Sequence, residues 1–303
     1  MGKETSELLI KALNDYLASS GMSQNALAKA IGVSASALSQ YMKKKYPGDV
    51  GVLESKISQH LNISQEREEY PKAQIGFVVT SIVQQVTEIA RNCHIGQKIG
   101  IVTGDSGLGK TTSVKHYVEN NPDVIIVYGR PSITTKSLIR ELAYKVNVDP
   151  QGSIDDVFMR IVYRLKGSGR MLIVDEAEHL TARVLDQLRR LNDPEFAGIG
   201  ILLVGLPRLL NILRSSQGDH KYLYSRVGWN IAVNTLNEND CESFVERVLP
   251  DCPKKLWKVF ASYANYNARA LCNLLERSVE VAAFNDAEID ADLIKDTARL
   301  LIA

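Results

Sequence analysis

The stretch Gly104-Asp105-Ser106-Gly107-Leu108-Gly109-Lys110-Thr111 decides the fold. It fits the phosphate-loop pattern G-x-x-x-x-G-K-[ST], it follows a short apolar run at 99–103, and it opens a helical pattern. Glycines there let successive backbone N–H groups aim at phosphate oxygens, and the helix N-terminus adds the positive end of a dipole. The spacing predicts that Gly104 through Thr112 cradle a nucleotide, that Lys110 reaches its β- and γ-phosphates, and that Thr111 ligates Mg²⁺. Asp105 enters as a member of the loop, with its carboxylate, like His179, a bystander.

A second stretch completes the first. Met171-Leu172-Ile173-Val174-Asp175-Glu176 sets two acids at the carboxyl end of an apolar run. Ligands of open α/β sheets bind at that edge. Asp175 is expected to hold Mg²⁺ through water, and Glu176 to orient or deprotonate the attacking water. Glu176 makes this a hydrolase pattern rather than nucleotide binding alone.

Further apolar runs at 124–128 and 201–204, and a weaker one at 230–233, alternate with amphipathic helical patterns. Nearly continuous apolar runs suit strands buried on both faces of a parallel sheet, so residues 77–235 read as an α/β ATPase core. Only helical patterns remain over 236–303, a helical lid. Residues 1–65 read as short helices, and 66–76 as a polar linker.

Residues 24–43 fit a helix-turn-helix, with Gly32 at the turn, Ser23 and Ser34 as N-caps, and Leu27, Ala28, Leu38 and Tyr41 inward. Candidate DNA contacts are Gln24, Ser34, Ser36, Ser39, Gln40, Lys43 and Lys44, since short polar side chains suit base edges and phosphates. A small protein–protein module has the same pattern.

The chain has 303 residues, with 36 Lys plus Arg against 35 Asp plus Glu, a net charge of +1. That balance excludes a polycation and an acidic-tail protein, but not a nucleic-acid binder with local charge. Local departures exist: +3 over 128–145, from Arg130, Lys136, Arg140 and Lys145 against Glu141. Four cysteines form no CxxC and are expected to be buried, reduced thiols without zinc. No signal peptide and no membrane span are expected.

These motifs resemble the AAA+ ATPases, and more closely the transposition-regulator family of MuB, TniB and TnsC. Asp175-Glu176-Ala177-Glu178-His179-Leu180, Phe77-Val78-Val79-Thr80, Leu202-Leu203-Val204-Gly205 and Leu223-Tyr224-Ser225-Arg226-Val227 carry the likeness, with the helix-turn-helix ahead of them. The resemblance implies a AAA+ parallel sheet with a helical lid, ATP and Mg²⁺ as cofactors, and slow ATP hydrolysis. It implies an arginine finger at Arg226, given in trans within a homo-oligomeric filament or ring, and a lid arginine at Arg269. It nominates Arg130, Thr134, Thr135 and Lys136 as a second DNA surface. It implies double-stranded DNA and an integrase-type transposase as partners, no membrane, and the cytoplasm of a bacterial host, with a phage or mobile element as source. One position departs: Leu206 stands where the family carries a polar sensor. A nucleotide-responsive transcription regulator and a helicase-loader or secretion-type motor are the other classes these motifs allow.

Overall fold

The computed structural model describes residues 2–69, 75–214 and 226–301. The chain divides into two compact units, Met1–Lys72 and Ala73–Ala303.

The first unit is helical. Helices α1 (Gly2–Ser20), α2 (Gln24–Ile31), α3 (Ala35–Met42) and α4 (Val50–Glu69) enclose Leu13, Leu27, Ala28, Ile31, Leu38, Tyr41, Leu53 and Ile57. Ser23 and Ser34 cap α2 and α3, accepting from the backbone N–H of Ala26 and Ala37. The Tyr41 hydroxyl donates to Glu54 Oε1 at 2.8 Å, tying α3 to α4. The polar stretch read as a linker is helical as far as Glu69, because Glu, Gln and Arg are good helix formers and a solvated helix has a linker's composition.

The second unit holds a five-stranded, all-parallel sheet in the order β2-β3-β4-β1-β5. The strands are β1 (Ile99–Thr103), β2 (Val124–Tyr128), β3 (Met171–Asp175), β4 (Gly200–Gly205) and β5 (Val227–Ala232). The first four are apolar because both faces are covered. Alternate residues take opposite faces: Ile101, Val127, Val174 and Leu203 join one core, and Val102, Ile173, Leu202 and Val204 the other. The first core is closed by α7 (Thr135–Lys145), α8 (Ile154–Leu165) and α9 (Ala182–Asn192). The second is closed by α5 (Ser81–Gly96), α6 (Lys110–Glu119) and the C-terminal helices. The edge strand β5 begins three residues before the expected run, and Trp229 on it is 43% exposed. None of its six residues is fully buried, so it needs no continuous apolar sequence.

A short helix α10 (Arg208–Arg214) follows β4. The C-terminal helices are α11 (Glu238–Val248), α12 (Lys254–Tyr263), α13 (Ala268–Asn285) and α14 (Ala291–Leu300). Their apolar side chains enter the same core as α5. Buried Asp240 of α11 accepts from the Ser81 backbone N–H at 2.7 Å and the Ser81 hydroxyl at 2.6 Å, fixing the start of α5. No described helix is long and apolar enough to cross a membrane.

Cys93 and Cys241 are buried, whereas Cys252 and Cys272 are half-buried, so the expectation of four buried thiols holds for two. Burial pushes the Cys93 thiol up to about 12 and that of Cys241 up to about 11, which leaves both protonated near neutrality. We therefore expect maleimide at pH 8 to label at most two of the four thiols of the native protein, and all four after denaturation. Labelling of Cys93 without unfolding would contradict this packing.

Candidate nucleotide site

The phosphate loop joins β1 to α6, at the carboxyl edge of the sheet. Gly109 is the N-cap of α6 with φ +92°, a left-handed conformation that glycine adopts without strain. Gly107 has φ +81°, and a Cβ on it would lie 2.4 Å from Asn267 Oδ1. Loop and lid are thus in contact: Asn267 Nδ2 donates to Ser106 O at 2.7 Å, the Arg269 backbone N–H to Gly107 O at 2.9 Å, and Arg269 Nη1 to Ser106 Oγ at 3.1 Å. Arg269, from the first turn of α13, therefore lies on the loop.

Lys110, the first residue of α6, is 8% exposed. Its ammonium donates to Gly104 O at 2.8 Å and Asp105 O at 2.7 Å. Those two residues serve the site through their carbonyls, and the Asp105 side chain faces solvent. Burial pulls the Lys110 ammonium below the usual lysine range, while Asp175, Glu178 and Asp105 oppose that pull.

Asp175 ends β3 and is 2% exposed. Its Oδ1 accepts from the Glu176 N–H at 2.9 Å, and its Oδ2 is buried without a hydrogen-bond partner. A buried carboxylate oxygen with no donor is costly. A hydrated divalent cation, shared with the Thr111 hydroxyl in the same cleft, fits that oxygen. Glu176 is exposed into the cleft in a left-handed backbone conformation, φ +54°, which costs of order 1 kcal/mol in a residue with a Cβ.

These groups line one cleft of about 660 Å³, within the range of roughly 300–1,000 Å³ usual for small-ligand sites. Its lining is mixed: Lys110, Thr111, Thr112, Asp175, Glu176 and Arg269 are polar, and Ile75, Phe77, Val78, Val83 and Phe244 are apolar. A nucleotide, with charged phosphates and an apolar ring, matches such a lining.

Arg226 lies elsewhere. It precedes β5, whose Val227 is in register with Ile99 at the start of β1. A five-residue strand at about 3.3 Å per residue puts it roughly 16 Å along the sheet from its own phosphate loop. There Arg226 Nη1 pairs with Asp193 Oδ2 at 2.9 Å. Leu223, Tyr224 and Ser225 lie outside the described residues.

The residues read as DNA contacts are partly engaged within the chain. In the first unit the Ser34 hydroxyl caps α3 and bonds to Ser36, Lys44 pairs with Glu7, and Gln24 Nε2 reaches Met42 Sδ at 3.1 Å. Gln40 and Lys43 are exposed, and Ser39 is half-buried. In the second unit Arg130 pairs with Glu141 at 3.0 Å, Thr134 caps α7 and Thr135 is half-buried, leaving Lys136 exposed beside Arg140 and Lys145.

Sequence reading missed two residues of the site. Glu178 stood only inside a resembling hexapeptide, yet its side chain is 5% exposed and its Oε2 accepts from the Leu206 N–H at 3.2 Å. Gly129, after β2, carries no local signal. A Cβ there would meet the Glu176 carbonyl oxygen at 2.1 Å, so the strand-end backbones touch. Replacing Gly129 with Ala should displace Glu176 and lower ATP turnover at least about tenfold, a barrier change of ~1.4 kcal/mol, with nucleotide affinity within about threefold. Steady-state hydrolysis beside equilibrium binding checks it.

Known proteins share this architecture. The AAA domain family matches residues 93–213, and the helix-turn-helix family residues 13–53. The Mu-like prophage FluMu DNA transposition protein B of Haemophilus influenzae is 29% identical over 244 residues, 78% of this chain and 84% of that protein. The ATP-dependent target DNA activator B of Escherichia phage Mu is 27% identical over 222 residues, 71% of this chain and 69% of that one. Among solved structures, the Aeropyrum pernix ORC2 protein superposes with a TM-score of 0.58 at 16% identity, covering 77% of this chain and 71% of that one, a likeness of fold. With its nucleotide cleft and both domains in this order, the chain is a MuB-like AAA+ ATPase with an N-terminal helix-turn-helix.

Proposed function

We propose that this protein is an ATP-dependent, DNA-binding regulator of transposition. Subunits assemble on double-stranded DNA when ATP is bound, mark that DNA as a target and engage an integrase-type transposase. Hydrolysis releases them. Residues 1–65 read DNA, 77–235 bind and hydrolyse the nucleotide, and 236–303 form the lid. The names carried by the two relatives, a DNA transposition protein and a target DNA activator, support this reading.

Within the cleft, Lys110 and the loop N–H groups hold the phosphates and Arg269 covers them. Thr111 and Asp175 hold Mg²⁺, which would neutralise charge between the phosphates. Glu176 orients and deprotonates the attacking water. The observation that carries the proposal is the site's incompleteness: Arg226 lies a strand's length from its own cleft. An arginine so placed serves a neighbour's γ-phosphate, which makes assembly a condition of turnover.

DNA contact is shared between Ser36, Ser39, Gln40 and Lys43 of the helix-turn-helix and Lys136 of the ATPase. Residues 1–65 carry seven Lys against five acids, a net of +2, so one subunit alone binds weakly. Aligned copies supply avidity. The near-zero total charge therefore makes tight DNA binding conditional on assembly, and ATP its control.

Negative-stain microscopy of wild type and Lys110→Ala with DNA, with and without ATP, tests this. Filaments are expected only for wild type with ATP, and filaments indifferent to both would overturn the switch. Arg226→Ala should lower DNA-stimulated turnover at least about a hundredfold. Mixing it with Lys110→Ala, whose subunits still carry Arg226, should restore part of that turnover.

A further inference from the structure

Strand order makes the residue after β4 a neighbour of both reacting halves of the site, because β4 lies between β1, which leads to the phosphate loop, and β3, which ends in Asp175. A polar side chain there would meet the attacking water or the γ-phosphate. This chain puts none there. A Cβ on Gly205 would lie 2.4 Å from Glu178 Oε2. Leu206 is apolar, and its N–H is taken by that same carboxylate. Pro207 has no N–H and no polar side chain.

The first side chain past the turn that can donate is Arg208, and it lines the cleft with Lys110, Asp175 and Glu176. The turn that presents it is rigid: the Leu209 N–H donates to Leu206 O at 2.9 Å, and the Leu209 side chain is fully buried. The guanidinium itself is loosely held. Its Nη2 lies 3.8 Å from Glu178 Oε1 and 3.5 Å from His179 Nε2, and the side chain is 54% exposed. A half-exposed pair at that distance is weak. A terminal phosphate, which accepts two parallel N–H bonds from a guanidinium, is the better partner.

We propose that Arg208 binds the γ-phosphate of the nucleotide held by its own subunit, replacing the absent polar sensor. Glu178 and His179 are its resting partners when that phosphate is gone. Glu178 is thus a positioning residue, holding the end of β4 through Leu206 and the arginine beside it. This rests on the ATPase reading and assigns the cleft a cis cation distinct from Arg226. It makes Arg208 the group that tells ATP from ADP.

The test measures ATP and ADP affinity and DNA-stimulated turnover for wild type, Arg208→Ala, Arg208→Lys and Lys110→Ala, all full length. Arg208→Ala should bind ADP within about twofold of wild type, lose at least about tenfold in ATP affinity and lose turnover. Arg208→Lys, with charge but no fork, should fall between. Mixing Arg208→Ala with Lys110→Ala should restore nothing, because a cis arginine cannot be lent. An unchanged ATP-to-ADP ratio, restoration by mixing, or an equal loss of ADP binding would each overturn the proposal. Wild-type turnover no higher than that of Lys110→Ala would overturn the ATPase reading beneath it, and this proposal with it.

Discussion

A parallel sheet covered on both faces leaves its polar chemistry almost nowhere to go except its carboxyl edge. Both faces here are dry, packed against α7–α9 on one side and α5, α6 and the lid helices on the other. The phosphate loop, Asp175 and the turn after β4 therefore crowd into one rim. Lys110 feels that crowding. Burial pulls its ammonium below the usual lysine range, and the carboxylates of Asp175, Glu178 and Asp105 oppose the pull. The same carboxylates are suited to a cation and to a water molecule, so one electrostatic arrangement stabilises the lysine and equips the cleft.

The lid extends this rim. Asn267 uses its oxygen to cap α13, accepting from the Ala270 N–H, and its nitrogen to hold Ser106 of the phosphate loop. One side chain thereby fixes the helix that carries Arg269 to the loop that Arg269 covers. Three arginines divide by element: Arg269 comes with the lid, Arg208 with the turn after β4, and Arg226 with the residue before the edge strand. In the function proposed above, an arginine offered from outside the subunit would couple chemistry to assembly, and one offered from within would read the nucleotide.

The most legible parts of the sequence were those whose chemistry is local. The phosphate loop needs glycines, a lysine and a helix start within eight residues, and Asp175-Glu176 needs only the end of an apolar run. Ser23 and Ser34 were legible as caps because a cap bonds two or three residues ahead. That residues 66–69 are helical was not legible, because helix propensity and linker polarity share a composition. The start of β5 was misplaced because none of its residues has the burial that marked the other four strands.

The sequence by itself marked the local chemistry: nucleotide loop, acidic pair and helix-turn-helix, each written in contiguous residues whose backbone geometry follows from their identities. The tertiary structure alone decided the company they keep. Glu178 reaches Leu206 across 28 positions, Gly129 touches Glu176 across 47, and Arg226 finds Asp193 across 33. Strand order sets those meetings. An apolar run specifies that a strand is buried but not which strand lies beside it, so nothing local marked Arg208, which the place of β4 between β1 and β3 brings to the cleft.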